Sequence, residues 1–140
     1  MLIDAAQRFG VRVKVAGASE WLDHASIEHL DTVPIEDYPA LLHNFDIGLV
    51  PLVDNRFNRA KSDLKVLELA ASGIPAIASP CAYSDTPALQ ARSYADWMRH
   101  IGHLVADKGE RDRLREAALA WAATRTIEAN AGLWEAAYAR

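Results

Sequence analysis

Two short runs, IGLVPL (47–52) and IPAIAS (74–79), are apolar at nearly every position, and they bracket a segment with helical spacing, DLKVLELAAS (63–72). A brief unbroken apolar run fits a strand covered on both faces, and such strands belong to parallel sheets with helices packed above and below. Parallel neighbours need a crossover, which the segment between them supplies. This unit predicts an α/β fold: a parallel sheet flanked by helices.

The rest of the chain extends the pattern. Residues 1–9 set Leu2, Ala5, Ala6 and Phe9 on one helical face before Gly10. VRVKVAG (11–17) alternates Val11, Val13 and Val15 as a strand would, and IEHLDTV (27–33) is a second, weaker strand. Residues 18–28 carry no clear period. Asp37 is placed to cap a helix from Tyr38 to about Asn44, with Pro39 in its first turn. The polar stretch 53–62 and the segment 79–87 read as loops, and 88–92 as an edge strand. Gly73 stands where a helix C-cap would. Beyond it, Ser93 and Asp96 form a capping box ahead of a stripe made by Tyr94, Trp97, Met98, Ile101, Leu104 and Val105. Gly109 separates this helix from one bearing Leu114, Ala117, Ala118 and Trp121, and a last stripe holds Ile127, Ala131, Trp134 and Tyr138. Trp97, Trp121 and Trp134 are therefore expected in core packing, while Trp21 lies outside any period. No repeat or linker divides the chain, so residues 1–140 are expected to form one Rossmann-like domain with a helical C-terminus.

Composition narrows the partners. The 140 residues are 51% hydrophobic, which excludes disorder, and carry a net charge of −4. Without a dense basic run, nucleic acid is not an expected partner. The lone Cys81 fits a reducing compartment and reads as an ordinary free thiol. No apolar stretch is long enough to span a bilayer, and the first residues lack the basic start and apolar core of a signal peptide. The expected localisation is cytoplasmic.

In open parallel sheets ligands bind beyond the carboxyl ends of the strands, which directs attention to the loop 53–62 and the helix after it. On that helix Lys61, Lys65, Glu68 and Ser72 fall within a stripe about 60° wide, while Leu64, Val66, Leu67, Leu69, Ala70 and Ala71 are apolar. Two lysines at or before the first turn add to a helix end that already favours anions. Glu68, one turn deeper, is placed to accept hydrogen bonds from a neutral hydroxyl-bearing group such as a ribose. The same spacing also fits a plain i,i+3 ion pair on a solvated stripe.

The stretch DIGLVPLVDNRFNRAKSDLKVLELAASGIPAIAS resembles the nucleotide-sugar-binding half of retaining glycosyltransferases of GT-B architecture, the glycosyl transferases group 1 family. The matching parts are a strand ending in Pro (DIGLVPL), a loop, a helix containing VLELAASG, and the strand IPAIAS. The C-terminal TIEANAGLWEAAY is similar to the family's closing helix. The resemblance implies that Glu68 grips ribose hydroxyls and that Arg59, Lys61, Ser62 and Lys65 surround the diphosphate and donor sugar. It implies that the backbone at Val33 and Pro34 holds the base, and that Gly17 lies near an interdomain cleft. The expected substrate is a nucleotide-diphosphate sugar whose hexosyl unit passes to a glycan or similar acceptor, with no metal or other cofactor. The acceptor would bind an N-terminal domain that, with the first strand of this one, is expected to precede residue 1. The isolated chain would then bind donor without turning it over.

Two departures qualify the resemblance. The family's Glu-x7-Glu motif, counted back from Glu68, falls on Ala60, so the first acid is missing; Asn55, Arg56, Asn58 and Arg59 are the nearby polar substitutes. The connection between Ser84 and Leu89 is also shorter than the family's. These keep a second reading open: a non-catalytic, degenerate α/β module serving protein association. A phosphoacceptor receiver fits less well, since Asp46 precedes IGLVPL instead of ending it. His24 with His29, and His100 with His103, lack the companions of a zinc site.

Overall fold

The structure, a computed structural model, describes residues 1–17 and 22–139; Trp21 lies outside the described residues. In chain order the elements are α1 (Leu2–Phe9), β1 (Val13–Ala16), β2 (Ile27–Leu30), a 3-10 turn (Ile35–Asp37), α2 (Tyr38–Leu42), β3 (Gly48–Val50), α3 (Arg56–Arg59) and α4 (Leu64–Ala71). There follow β4 (Ala76–Ala78), α5 (Pro80–Tyr83), β5 (Leu89–Gln90), α6 (Tyr94–Ala106), α7 (Lys108–Ala123) and α8 (Ile127–Tyr138). The protein is thus α/β, with parallel strands flanked by helices and a helical C-terminus.

The strands form two parallel sheets. β1 pairs with β2, Val13 opposite Ile27 and Ala16 opposite Leu30. β3, β4 and β5 pair in that order, with Leu49 opposite Ile77 and Ile77 opposite Leu89. No ladder joins the two sheets among the described residues.

Alternation along β3 and β4 divides the core. Val50, Ala76 and Ala78 face Leu42, Val66, Leu69 and Ile74, with Tyr38 and Phe45 packed at the margin. Ile77, flanked by Leu49 and Leu89, faces the other way onto Ala5, Trp97, Met98, Ile101, Leu104 and Leu114. Helices α2 and α4 therefore cover one face and α1 and α6 the other. The central strand β4 is wholly buried, which is why its sequence is apolar at every position. Helix α7 closes the side by setting Ala118 and Ala122 against Ala70 of α4, a seam of small residues that lets the backbones approach.

Local signals account for most boundaries. Gly10 ends α1 in the left-handed region, at φ 63°, and its N–H donates to the Ala6 carbonyl at 3.0 Å. The Ser93–Asp96 capping box forms in full. Other expectations are corrected. Asp37 occupies the N-cap position of α2, but its side chain makes no cap bond, because the preceding 3-10 turn already leads the backbone into the helix. The stretches 53–62 and 79–87 each hold a four-residue helix, α3 and α5, too short to leave a periodic signal. Helix α7 starts before Gly109: Asp107 caps it, accepting from Glu110 N at 2.9 Å. The last stripe is not in the core. Ile127, Trp134 and Tyr138 are exposed, and Trp134 stacks on Tyr138 at 6.4 Å. No helix among the described residues is long and apolar enough to cross a membrane.

Candidate functional site

The carboxyl ends of β3 and β4 open onto α3, α5 and the start of α4. A buried hydroxyl joins the two strand ends: Ser79 Oγ accepts from Leu52 N at 2.9 Å. Sequence reasoning passed over Ser79, whose only signal was a polar residue closing an otherwise apolar run. Beyond Leu52 the chain turns into α3. Asn55 caps that helix by accepting from Asn58 N at 2.8 Å, and buried Asn58 donates Nδ2 to the Val53 carbonyl at 2.8 Å. Both asparagines thus shape the loop. Ala60, at the expected place of that acid, is the C-cap of α3.

Helix α4 begins at Asp63, whose carbonyl accepts from Val66 N and Leu67 N, both at 3.0 Å. Its carboxylate does not cap the helix; it pairs with Arg125 at 3.1 Å, tying the start of α4 to the chain beyond α7. The polar seam of α4 is present as expected, and not every apolar position beside it is covered: Leu64 is 51% exposed.

On this seam Lys65 and Glu68 meet, with Nζ 3.0 Å from Oε2. A third group joins them from α2. The Tyr38 hydroxyl donates to the same Oε2 at 3.2 Å and accepts from Lys65 Nζ at 3.2 Å. The ammonium also stands 5.0 Å above the Tyr38 ring centre. Partial burial disfavours the charged form of Lys65, but hydrogen bonds to Glu68 and Tyr38 outweigh it and hold the ammonium above its ordinary range. Tyr38 was absent from the sequence-predicted site, since nothing local links positions thirty residues apart.

The remaining candidates fall into three groups. Arg59 is near, but its guanidinium is bidentate on Asp54, with Nε to Oδ1 at 2.5 Å and Nη2 to Oδ2 at 3.1 Å. That hydrogen bonding holds the Asp54 carboxyl below its ordinary range and raises Arg59. Lys61 lies over the ring of exposed Phe57 at 5.1 Å and Ser62 is exposed, both just ahead of α4. Val33 and Pro34 follow β2, and Pro34 accepts from Asp37 N at 3.0 Å in the turn leading directly to Tyr38. The segment expected to hold a base therefore delivers a tyrosine to Glu68.

His24 Nδ1 accepts from Ser26 N at 3.0 Å, and His100 Nε2 donates to the Gln90 carbonyl at 3.2 Å. Among the described residues, no three His, Cys, Asp or Glu side chains gather as a metal site would require.

The assembled features are an anion-favouring helix end, two lysines, and a carboxylate one turn deeper beside a tyrosine hydroxyl, at the carboxyl edge of parallel strands. A family model described as glycosyl transferase-like matches residues 1–131. No curated protein and no solved structure matches the chain. The matched span takes in both sheets and the whole Tyr38–Lys65–Glu68 cluster, and on that extent the chain belongs to the glycosyl transferase-like family.

Proposed function

We propose that this chain is the donor-binding domain of a retaining glycosyltransferase of GT-B architecture, taking a nucleotide-diphosphate sugar and passing its hexosyl unit to a glycan or similar acceptor. The observation that carries the reading is the placement of Lys65 and Glu68 on one polar seam of α4, beyond the carboxyl ends of parallel strands. Glu68 accepts the ribose hydroxyls. Lys61, Ser62, Lys65 and the first N–H groups of α4 meet the diphosphate and stabilise the charge that develops on it as the sugar departs. Arg59 joins them only by giving up Asp54. The backbone at Val33 and Pro34 lies against the base. This assignment asks no metal or general base of the domain, and places its work in the cytoplasm.

An acceptor-binding domain and a further strand ahead of residue 1 belong to the same proposal. Among the described residues β1 pairs only with β2 and β3 only with β4, and one parallel strand between β1 and β3 would merge the two sheets. Ala60 favours a second reading, a degenerate module in which the ion pairs Asp54–Arg59 and Lys65–Glu68 only stabilise the fold.

Calorimetric titration of the chain with UDP, GDP and dTDP, repeated on Glu68→Ala, separates the two. Donor binding predicts saturable affinity for one nucleotide that Glu68→Ala lowers about tenfold or more while the folded spectrum is unchanged. An affinity indifferent to Glu68→Ala would overturn the ribose assignment.

A further inference from the structure

We propose that Lys65 and Tyr38 make the site selective for ligands that carry an anionic phosphate and a sugar diol together, because Lys65 masks Glu68 until an anion draws it away. This rests on the reading of Glu68 as the carboxylate that takes ribose hydroxyls.

The geometry is a closed triangle. Tyr38 Oη and Lys65 Nζ both donate to the single oxygen Oε2 of Glu68, and Nζ also donates to Oη. A carboxylate binds a vicinal diol best with both oxygens, one hydroxyl on each. Tyr38 and Lys65 together occupy Oε2, so a hydroxyl can bond that oxygen, and the diol can span both, only when one of them leaves. The two donors differ in freedom. Tyr38 is partly buried and packs against the core cluster that includes Leu42 and Val50. Lys65 ends a flexible stem, and its side chain is 59% exposed. Lys65 is therefore the group that moves.

What moves it is charge. A neutral nucleoside offers Lys65 nothing in exchange for Glu68, so its binding is opposed by the full cost of breaking the pair. A diphosphate at the start of α4 offers a stronger, charge-assisted partner a short swing away, and Lys61 stands just ahead of that turn. The phosphate end thus releases the carboxylate that the ribose end needs. Tyr38 keeps its hydrogen bond throughout and holds Glu68 in one orientation; it is a positioning residue. The two halves of the ligand are coupled through one side chain, and such coupling is reciprocal.

The test measures binding of uridine, UDP, guanosine and GDP to the chain and to Lys65→Met and Glu68→Ala. Removing the lysine is expected to change the two ligand types in opposite directions. The nucleoside of the recognised base binds about two- to fivefold more tightly to Lys65→Met, as the mask on Glu68 is gone, while its diphosphate binds about tenfold more weakly. Inorganic pyrophosphate is expected to raise nucleoside affinity in the wild-type chain and to have no such effect in Lys65→Met. If Glu68→Ala weakens the diphosphate but Lys65→Met weakens nucleoside and diphosphate alike, the mask is overturned while the donor site stands. If Glu68→Ala changes neither, the donor reading falls and the mask with it.

Discussion

Leu69 fills the space that a side chain at Gly48 would need. A β-carbon at Gly48 would lie against Leu69 Cδ1, with Cδ2 at 3.0 Å and Cγ at 3.2 Å. Leu69 is buried in the core cluster with Val50, Val66 and Ile74, so a methyl at Gly48 would have to displace a packed side chain where α4 lies on β3. The same helix carries Lys65 and Glu68.

Gly48→Ala is expected to destabilise the fold by about 1–3 kcal/mol through overpacking. Equilibrium urea unfolding reads the change. Because the clash is with one side chain, Gly48→Ala and Leu69→Ala together should cost clearly less than their sum. Additive losses would mean that Leu69 is not what the new methyl meets.

The Ser93–Asp96 capping box sets a pH dependence on the acid side. The Ser93 hydroxyl and the backbone N–H groups of Arg92 and Ser93 hold the Asp96 carboxyl at a pKa of about 2, against an ordinary 3.8. A depressed carboxyl stabilises the fold above its unfolded pKa, and that contribution fades as pH falls from about 3.8 through about 2. Asp96→Asn should therefore lose stability at pH 6, and its difference from wild type should shrink between pH 4 and pH 2. Thermal melts across that range check it; a difference constant with pH would contradict the assignment.

Arg125 fastens the entrance of α4. Its guanidinium is 3.1 Å from the Asp63 carboxylate and 4.6 Å above the Trp121 ring centre. Both members of the ion pair are partly exposed, so Arg125→Ala is expected to cost only about 0.5–1.5 kcal/mol. The sharper signature is local: amide exchange at Val66 and Leu67, which bond the Asp63 carbonyl, should speed up more than at β4. Uniform acceleration across the chain would place the effect elsewhere.

Much of this fold is legible in the residues themselves. The unbroken apolar runs at 47–52 and 74–79 marked strands covered on both faces, since a central parallel strand has no solvent side to keep polar. Gly10 and the Ser93–Asp96 pair marked helix ends, because left-handed backbone and unpaired N–H groups each admit few residue types. The polar seam of α4 followed from helical period alone. So did the pairing of Lys65 with Glu68, which is only three residues long.

Tertiary structure decided what lies between those elements. It brought Tyr38, on the helix before β3, to Glu68 on the helix after it and spent Arg59 on Asp54, so one expected site residue is engaged and an unexpected one completes the cluster. It left Trp134 and Tyr138 exposed, although their spacing matches a core stripe. The physical reason is common to all of these. Period and capping are local, set by sterics and hydrogen bonds within a turn or two of chain. Which side chain meets which across thirty residues depends on how the layers stack, here on α2 and α4 covering the same face of the sheet.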